Sequence, residues 1–231
     1  MKNYLSPYFD ESPFETLPPP TKDELMRKYT TNIRHYPKNT TITLDPQVWT
    51  GFYLYKGCLK VSISNDLGIE RLLFYLAEKN TCSCGYPNIP MILHTTEDCD
   101  IYFINTKQLL YDLVYDKKFF SNLWESSYRR LGIIAERLLD ISGTNNKGKI
   151  CKFLYNLAQE SHQTTPDGKL VIKKLPTRND LALFIGAHKS NVIKILSALE
   201  NDGIITPNGK GIIINDLDKL KTCIDESCYI Q

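Results

Sequence analysis

Residues 175–214 constrain the fold most, because their start, stop and turn signals come in an order that few architectures satisfy. Thr177, followed three places later by Asp180, is a capping pair that opens a helix at Arg178. Leu181, Ala182, Phe184 and Ile185 give that helix an apolar face, and Gly186 can take a positive φ and stop it. A second helix starts at Lys189, with Val192, Ile193, Ile195, Leu196 and Leu199 read as its inward side. Two helices joined by a turn of roughly three to four residues containing glycine form a helix-turn-helix. Then comes Ile204-Ile205-Thr206-Pro207-Asn208-Gly209-Lys210-Gly211-Ile212-Ile213-Ile214, two β-branched runs around Asn-Gly, which predicts a hairpin with a type I′ turn. Cap, helix, glycine turn, helix and hairpin together spell a winged helix.

The chemistry of that module points to double-stranded DNA. The second helix offers Lys189, Ser190, Asn191 and Lys194 on its polar side near its N-terminus, where recognition helices meet base edges, and the hairpin carries Lys210 toward the phosphate backbone. Charge agrees. The chain has 28 Lys+Arg and 26 Asp+Glu, but residues 147–215 hold ten of the former and five of the latter, which leaves the remainder slightly acidic. A basic module beside an acidic one suits a DNA-binding domain joined to a sensing domain. Near neutrality overall excludes a histone-like polycation. No apolar run approaches the roughly 18 residues of a membrane span, and the acidic, proline-rich start lacks the apolar core of a secretory signal. Seven cysteines without an export signal imply a reducing compartment, so a cytoplasmic location is expected. With no P-loop, H-E-x-x-H or G-x-S-x-G, an enzyme is not expected.

Upstream, the pattern changes twice. Residues 1–20 read as an irregular arm ending in Pro18-Pro19-Pro20, and Lys22 to Tyr29 as a helix. Thr40–Leu44, Gly51–Tyr55, Cys58–Ser64, Glu70–Leu76 and Asp100–Ile104 read as strands separated by turn residues, which implies an antiparallel barrel or sandwich. Beyond Thr106 the period lengthens: Trp124, Ser127, Leu131, Ile134, Leu138 and Ile141 are spaced 3, 4, 3, 4, 3, an a/d seam suited to a dimer. Gly143 to Gly148 reads as a linker. Lys149–Gln159 is an amphipathic helix, Pro166-Asp167-Gly168 a turn and Lys169–Ile172 a short strand.

Three regions carry a resemblance. YPKNTTITL (36–44), YLYKGCLKVSI (53–63) and LGIERLLFYL (67–76) in the strand region, YRRLGIIAERLLDIS (128–142) in the heptad region and residues 175–214 together resemble the cyclic-AMP receptor protein / fumarate-nitrate regulator (Crp/Fnr) family over nearly the whole chain. The resemblance implies an α+β protein: a cyclic-nucleotide-binding-like antiparallel β-barrel, a long dimerisation helix and a C-terminal winged helix-turn-helix. The corresponding domains are an arm at 1–20, an effector-sensing barrel at 21–110, the long helix at 111–142 and the DNA-binding domain at 147–231. It further implies a bacterial transcription regulator that binds a palindromic operator as a homodimer and engages RNA polymerase. The family's base-reading positions fall on Lys189, Ser190 and Lys194, while Thr177, Arg178, His188 and Asn191 match phosphate-contacting positions. Lys189 and Ser190 replace the family's usual arginine and glutamate, so a different half-site is expected. His188 stands where the family prefers a serine cap.

Family members that bind cyclic nucleotides hold the phosphate with an arginine, because a buried anion must be paired. This chain has no arginine between Arg71 and Arg129, so cyclic-AMP sensing is not expected. Phe74, Tyr75, Tyr86, Ile89, Met91 and Ile92, with Cys84 nearby and Tyr128 and Ile134 on the long helix, suggest instead an apolar or aromatic effector between barrel and helix. The alternatives are a filled barrel in an effector-independent DNA-binding protein, or a redox-responsive one switched by Cys82 and Cys84, which with Cys58 and Cys99 could also hold a metal, or by haem at His35 or His94. No resident metal or cofactor is expected.

Overall fold

The computed structural model describes residues 28–45, 50–84 and 89–105, scattered positions from 108 to 135, and 143–227 except 160 and 162; the side chains of 31, 83 and 84 are outside the description. A boundary between 133 and 134 separates two compact units.

Among the described residues the first unit holds eight strands: β1 (Thr30–Tyr36), β2 (Thr41–Leu44), β3 (Thr50–Lys56), β4 (Cys58–Ser64), β5 (Glu70–Ala77), β6 (Asn80–Cys84), β7 (Met91–Thr95) and β8 (Cys99–Ile104). Every pairing is antiparallel, and the strands form two four-stranded sheets, β1-β8-β3-β6 and β2-β7-β4-β5. The expected antiparallel barrel or sandwich is present: among the described residues the two sheets do not close on one another, and the architecture is jelly-roll-like. One of the crossings between the sheets falls at Gly57, between β3 and β4. Its φ of 100° suits glycine alone, and a Cβ there would meet the Asp98 carbonyl and Cys99 Sγ at 2.6 Å.

Alternation along the strands builds the core. Phe74 and Leu76 of β5 point inward, with Leu59 and Val61 of β4 and Leu93 of β7, and meet Phe52, Leu54, Cys82 and Ile101 of the other sheet. Tyr53 is buried as well as Phe52 and Leu54, so β3 is covered on both faces. Every described residue from 108 to 135 is helical.

The second unit contains α1 (Asn146–Gln159), β9 (Leu170–Ile172), α2 (Arg178–Ile185), α3 (Lys189–Asn201), β10 (Ile205–Asn208), β11 (Gly211–Ile214) and α4 (Leu217–Asp225). Its strands form one antiparallel sheet, β10-β11-β9. The expected linker before α1 is largely structured. Asn145 Oδ1 accepts the Gly148 N–H at 3.0 Å, which starts the helix three residues earlier than expected, and a Cβ on Gly148 would strike the side chains of Thr144 and Ser227. Ile150, Phe153, Leu154 and Leu157 of α1 are buried, and Phe153 meets Phe184 of α2 edge-on at 5.0 Å. Helix α4, which the sequence reading did not place, is capped by Asp216 Oδ1 accepting the Lys219 N–H and buries Leu220 and Cys223.

Candidate nucleic-acid interface

Local chemistry sets α2 and α3 at a fixed corner. The Asp180 N–H donates to Thr177 Oγ1 at 3.1 Å, as the capping pair requires, and Asp180 itself is buried. Gly186 ends α2 at φ 73°, with its N–H donating to the Ala182 carbonyl. His188 occupies the N-cap of α3 with extended backbone and makes no side-chain cap bond, so the first amides of α3 gain no acceptor from that side chain. Val192, Leu196 and Leu199 lock α3 onto the unit.

The wing follows at once. In the β10–β11 hairpin Asn208 pairs with Gly211, so the central residues are Gly209 and Lys210. Only Gly209 has a positive φ, at 59°, which is the requirement of a type II′ turn; the expected type I′ needs it at both positions. Backbone and side-chain bonds fix the wing to its surroundings: the Lys210 carbonyl accepts the Leu175 N–H at 2.9 Å, and Asn215 Nδ2 donates to the Gly203 carbonyl at 3.1 Å and to Thr206 Oγ1 at 2.8 Å. The wing tip is therefore tied to the segment entering α2, and its base to the turn leaving α3.

Thr177, Arg178, His188, Lys189, Ser190, Asn191, Lys194 and Lys210 all lie exposed on this one unit. Lys173 and Lys174, exposed beside the wing's anchor at Leu175, add to the cationic face and were missed because a lysine pair after a short strand carries no motif. Ile193 corrects the sequence reading: expected to face inward, it is 45% exposed. Helical phase explains it, since each residue turns about 100° and Ile193 follows Val192 around to the flank of Lys189 and Ser197.

The structure divides the expected effector lining. Phe74 belongs to the core between the sheets, whereas Tyr75, one residue along β5, lies half-buried on the opposite face, so the two cannot line one cavity. Met91 packs against that core; Ile92 is half-buried on the other side of β7; Ile89, Tyr128 and Ile134 are exposed. Tyr86 and the Cys84 side chain are outside the described residues. Of the seam, Trp124, Leu131 and Ile134 are exposed, and Ser127, Leu138 and Ile141 are not described.

Residues 148–223 match the model of the Crp-like helix-turn-helix domain. The chain is 27% identical over 191 residues to the cAMP-activated global transcriptional regulator CRP of Salmonella typhimurium, covering 79% of this chain and 89% of that protein. CprK complexed with OCPA superposes with a TM-score of 0.74 at 17% identity, covering 86% of this chain and 92% of the other. A CooA mutant from Carboxydothermus hydrogenoformans superposes at 0.73 with 18% identity, covering 86% and 89%. At these identities the two structures speak to the fold, which they share along both units; the relatives regulate transcription and are not enzymes. The exposed recognition helix, the wing and these similarities lead to one assignment: residues 148–223 form a Crp-like helix-turn-helix domain, in a chain similar over most of its length to transcription regulators of the Crp/Fnr type.

Proposed function

We propose that this regulator binds a palindromic operator as a homodimer under the control of a small effector other than cyclic AMP. The observation that carries the DNA reading is the exposed set Lys189, Ser190, Asn191 and Lys194 on the side of α3 away from buried Val192, Leu196 and Leu199, with Lys210 on the wing of the same unit. Lys189 and Lys194 reach guanine O6/N7, Ser190 a neighbouring base, and Thr177, Arg178, His188, Asn191 and Lys210 the phosphates. Dimerisation is supported by the helical residues Phe120, Trp124, Tyr128 and Leu131, whose large side chains are all exposed in the single chain, with Phe120 stacked on Trp124 at 6.3 Å. A division into arm, barrel-like sensor, long helix and DNA-binding domain at 1–20, 21–110, 111–142 and 147–231 fits this assignment. RNA polymerase is the partner that a transcription regulator of this kind engages, and the cytoplasm its place of action.

The Salmonella relative is cAMP-activated, yet the present chain has no arginine between Arg71 and Arg129 to pair a cyclic phosphate. An apolar or aromatic ligand accords better with a chain that offers no such arginine, and the similarly folded CprK was solved with OCPA. The redox and haem alternatives draw less support. Cys82 is buried in the apolar core. His35 Nδ1 lies 2.8 Å from Asp100 Oδ1, and both ring nitrogens of His94 are engaged, with Thr41 at 2.9 Å and Glu70 at 3.1 Å.

The test is selection from a random duplex pool at low salt, followed by anisotropy titration with and without a panel of aromatic acids. Enrichment of an inverted repeat, and an affinity that moves with one ligand class, is the expected result. Failure to enrich any duplex would reject the reading, and an affinity indifferent to every ligand would reject its effector half.

A further inference from the structure

Ile193 is the only large apolar residue of α3 that stands exposed. Around it on the helix surface lie Lys189 and Ser190 one turn before, Lys194 beside it and Ser197 one turn after, all exposed. Nothing in the fold requires an isoleucine here: it contributes nothing to the buried ridge of Val192, Leu196 and Leu199, and a β-branched residue is a poorer helix former than alanine or lysine. An apolar side chain in the middle of a cationic reading face is placed to meet an apolar group on whatever that face binds.

The wide groove of B-DNA offers one, the C5-methyl group of thymine. We propose that Ile193 is a specificity-determining residue that reads a thymine C5-methyl in each half-site, between the bases or phosphates engaged by Lys189 and Lys194. The assignment rests on α3 lying in the major groove. β-Branching restricts χ1 of isoleucine, so its methyl groups are presented in a fixed direction at little entropic cost on binding. Lysines on either side draw the helix onto the duplex and exclude water from the contact, which turns an exposed apolar residue into a buried one. Removing a single methyl from such a contact lowers affinity about three- to fivefold.

The experiment uses the full chain and an operator selected from a random duplex pool, with each thymine replaced in turn by deoxyuridine, which lacks only the C5-methyl. Wild type is expected to lose about three- to fivefold per half-site at one symmetry-related thymine. Ile193→Ala, folded by circular dichroism, should bind the unmodified duplex more weakly by a similar factor and be indifferent to deoxyuridine at that position. Ile193→Val should keep part of the sensitivity. Because 5-methylcytosine carries the same group, duplexes with each cytosine methylated form a second arm, for which no change is expected. A wild type indifferent to every deoxyuridine, or an Ile193→Ala that retains the full loss, overturns the proposal, as does a gain confined to methylated cytosine. Failure to select any duplex overturns the groove reading first, and this assignment with it; a selected operator with no methyl dependence overturns Ile193 alone.

Discussion

Cys151 of α1 is fully buried, and burial, reinforced by neighbouring Cys223 of α4, pushes its thiol from an ordinary value of 9.0 up to about 12. Both the folded and the unfolded thiol are protonated below pH 9, so the contribution of burial is complete there. As pH climbs from about 9 toward 12 the unfolded chain releases the proton and the folded one does not, and stability falls. Burial raises Cys99 to about 11 in the same sense. Melting curves against pH should show this alkaline decline, and Cys151→Ala should flatten it while costing on the order of 1 kcal/mol at neutral pH. Thr177 is a simpler case. Its hydroxyl accepts the Asp180 amide, so Thr177→Ala should lower stability by about 1 kcal/mol in chemical denaturation. The Thr177–Asp180 cap could be read from residue spacing because both partners lie three apart in one turn. The cap at Asn145 lies inside a run of polar and glycine residues that looks like a linker, and the exposure of Ile193 follows from helical phase, which hydrophobic identity alone does not carry.

Elements carry a second lesson. Gly186 ends α2 at φ 73° and sets the angle at which α3 leaves. Gly186→Ala should destabilise the domain by about 1 kcal/mol through the left-handed backbone and weaken DNA affinity beyond that loss, since α3 would be re-aimed; denaturation and anisotropy titration on the same sample separate the two effects. At the wing, Asn-Gly promised a hairpin and a hairpin is present, but the strands pair one residue further along, so the turn falls on Gly209-Lys210. Register is decided by the whole ladder: Ile212, Ile213 and Ile214 also pair with β9, and Gly211 lies so close to the backbone of Ile172 and Lys173 that no side chain fits. The strands richest in β-branched and aromatic residues were legible. β1, β6 and β7 were not, because TTNIRHY and NTCSC are mostly polar and MILHT is short and follows a proline; these strands gain their identity from partners far along the chain. Helix α4, led by two acidic residues among lysines, hid its apolar pair Leu220 and Cys223 in the same way.

At the scale of the molecule, the proposed dimer rests on the exposed Trp124 and Leu131, 63% and 59% accessible. Replacing Leu131 and Ile134 together with lysine should give a monomer by light scattering and reduce operator affinity by more than about tenfold, because two half-sites would no longer be bound together; a persisting dimer would reject the seam. Lys194→Ala should relax base preference at one position of each half-site by about 1–3 kcal/mol, whereas Lys210→Ala should weaken all duplexes alike and reduce the salt slope by about one, both read from anisotropy titrations. Helices α2 and α3 and the Thr177 and Gly186 caps of α2 were settled by the sequence itself, since each depends on residues within a few positions of one another. Closure or opening of the sheets, the face on which Phe74 and Tyr75 fall, the register of the wing and the exposure of Ile193 were decided only by tertiary structure. Those features depend on pairings and packing between residues distant in the chain, where local spacing carries no information.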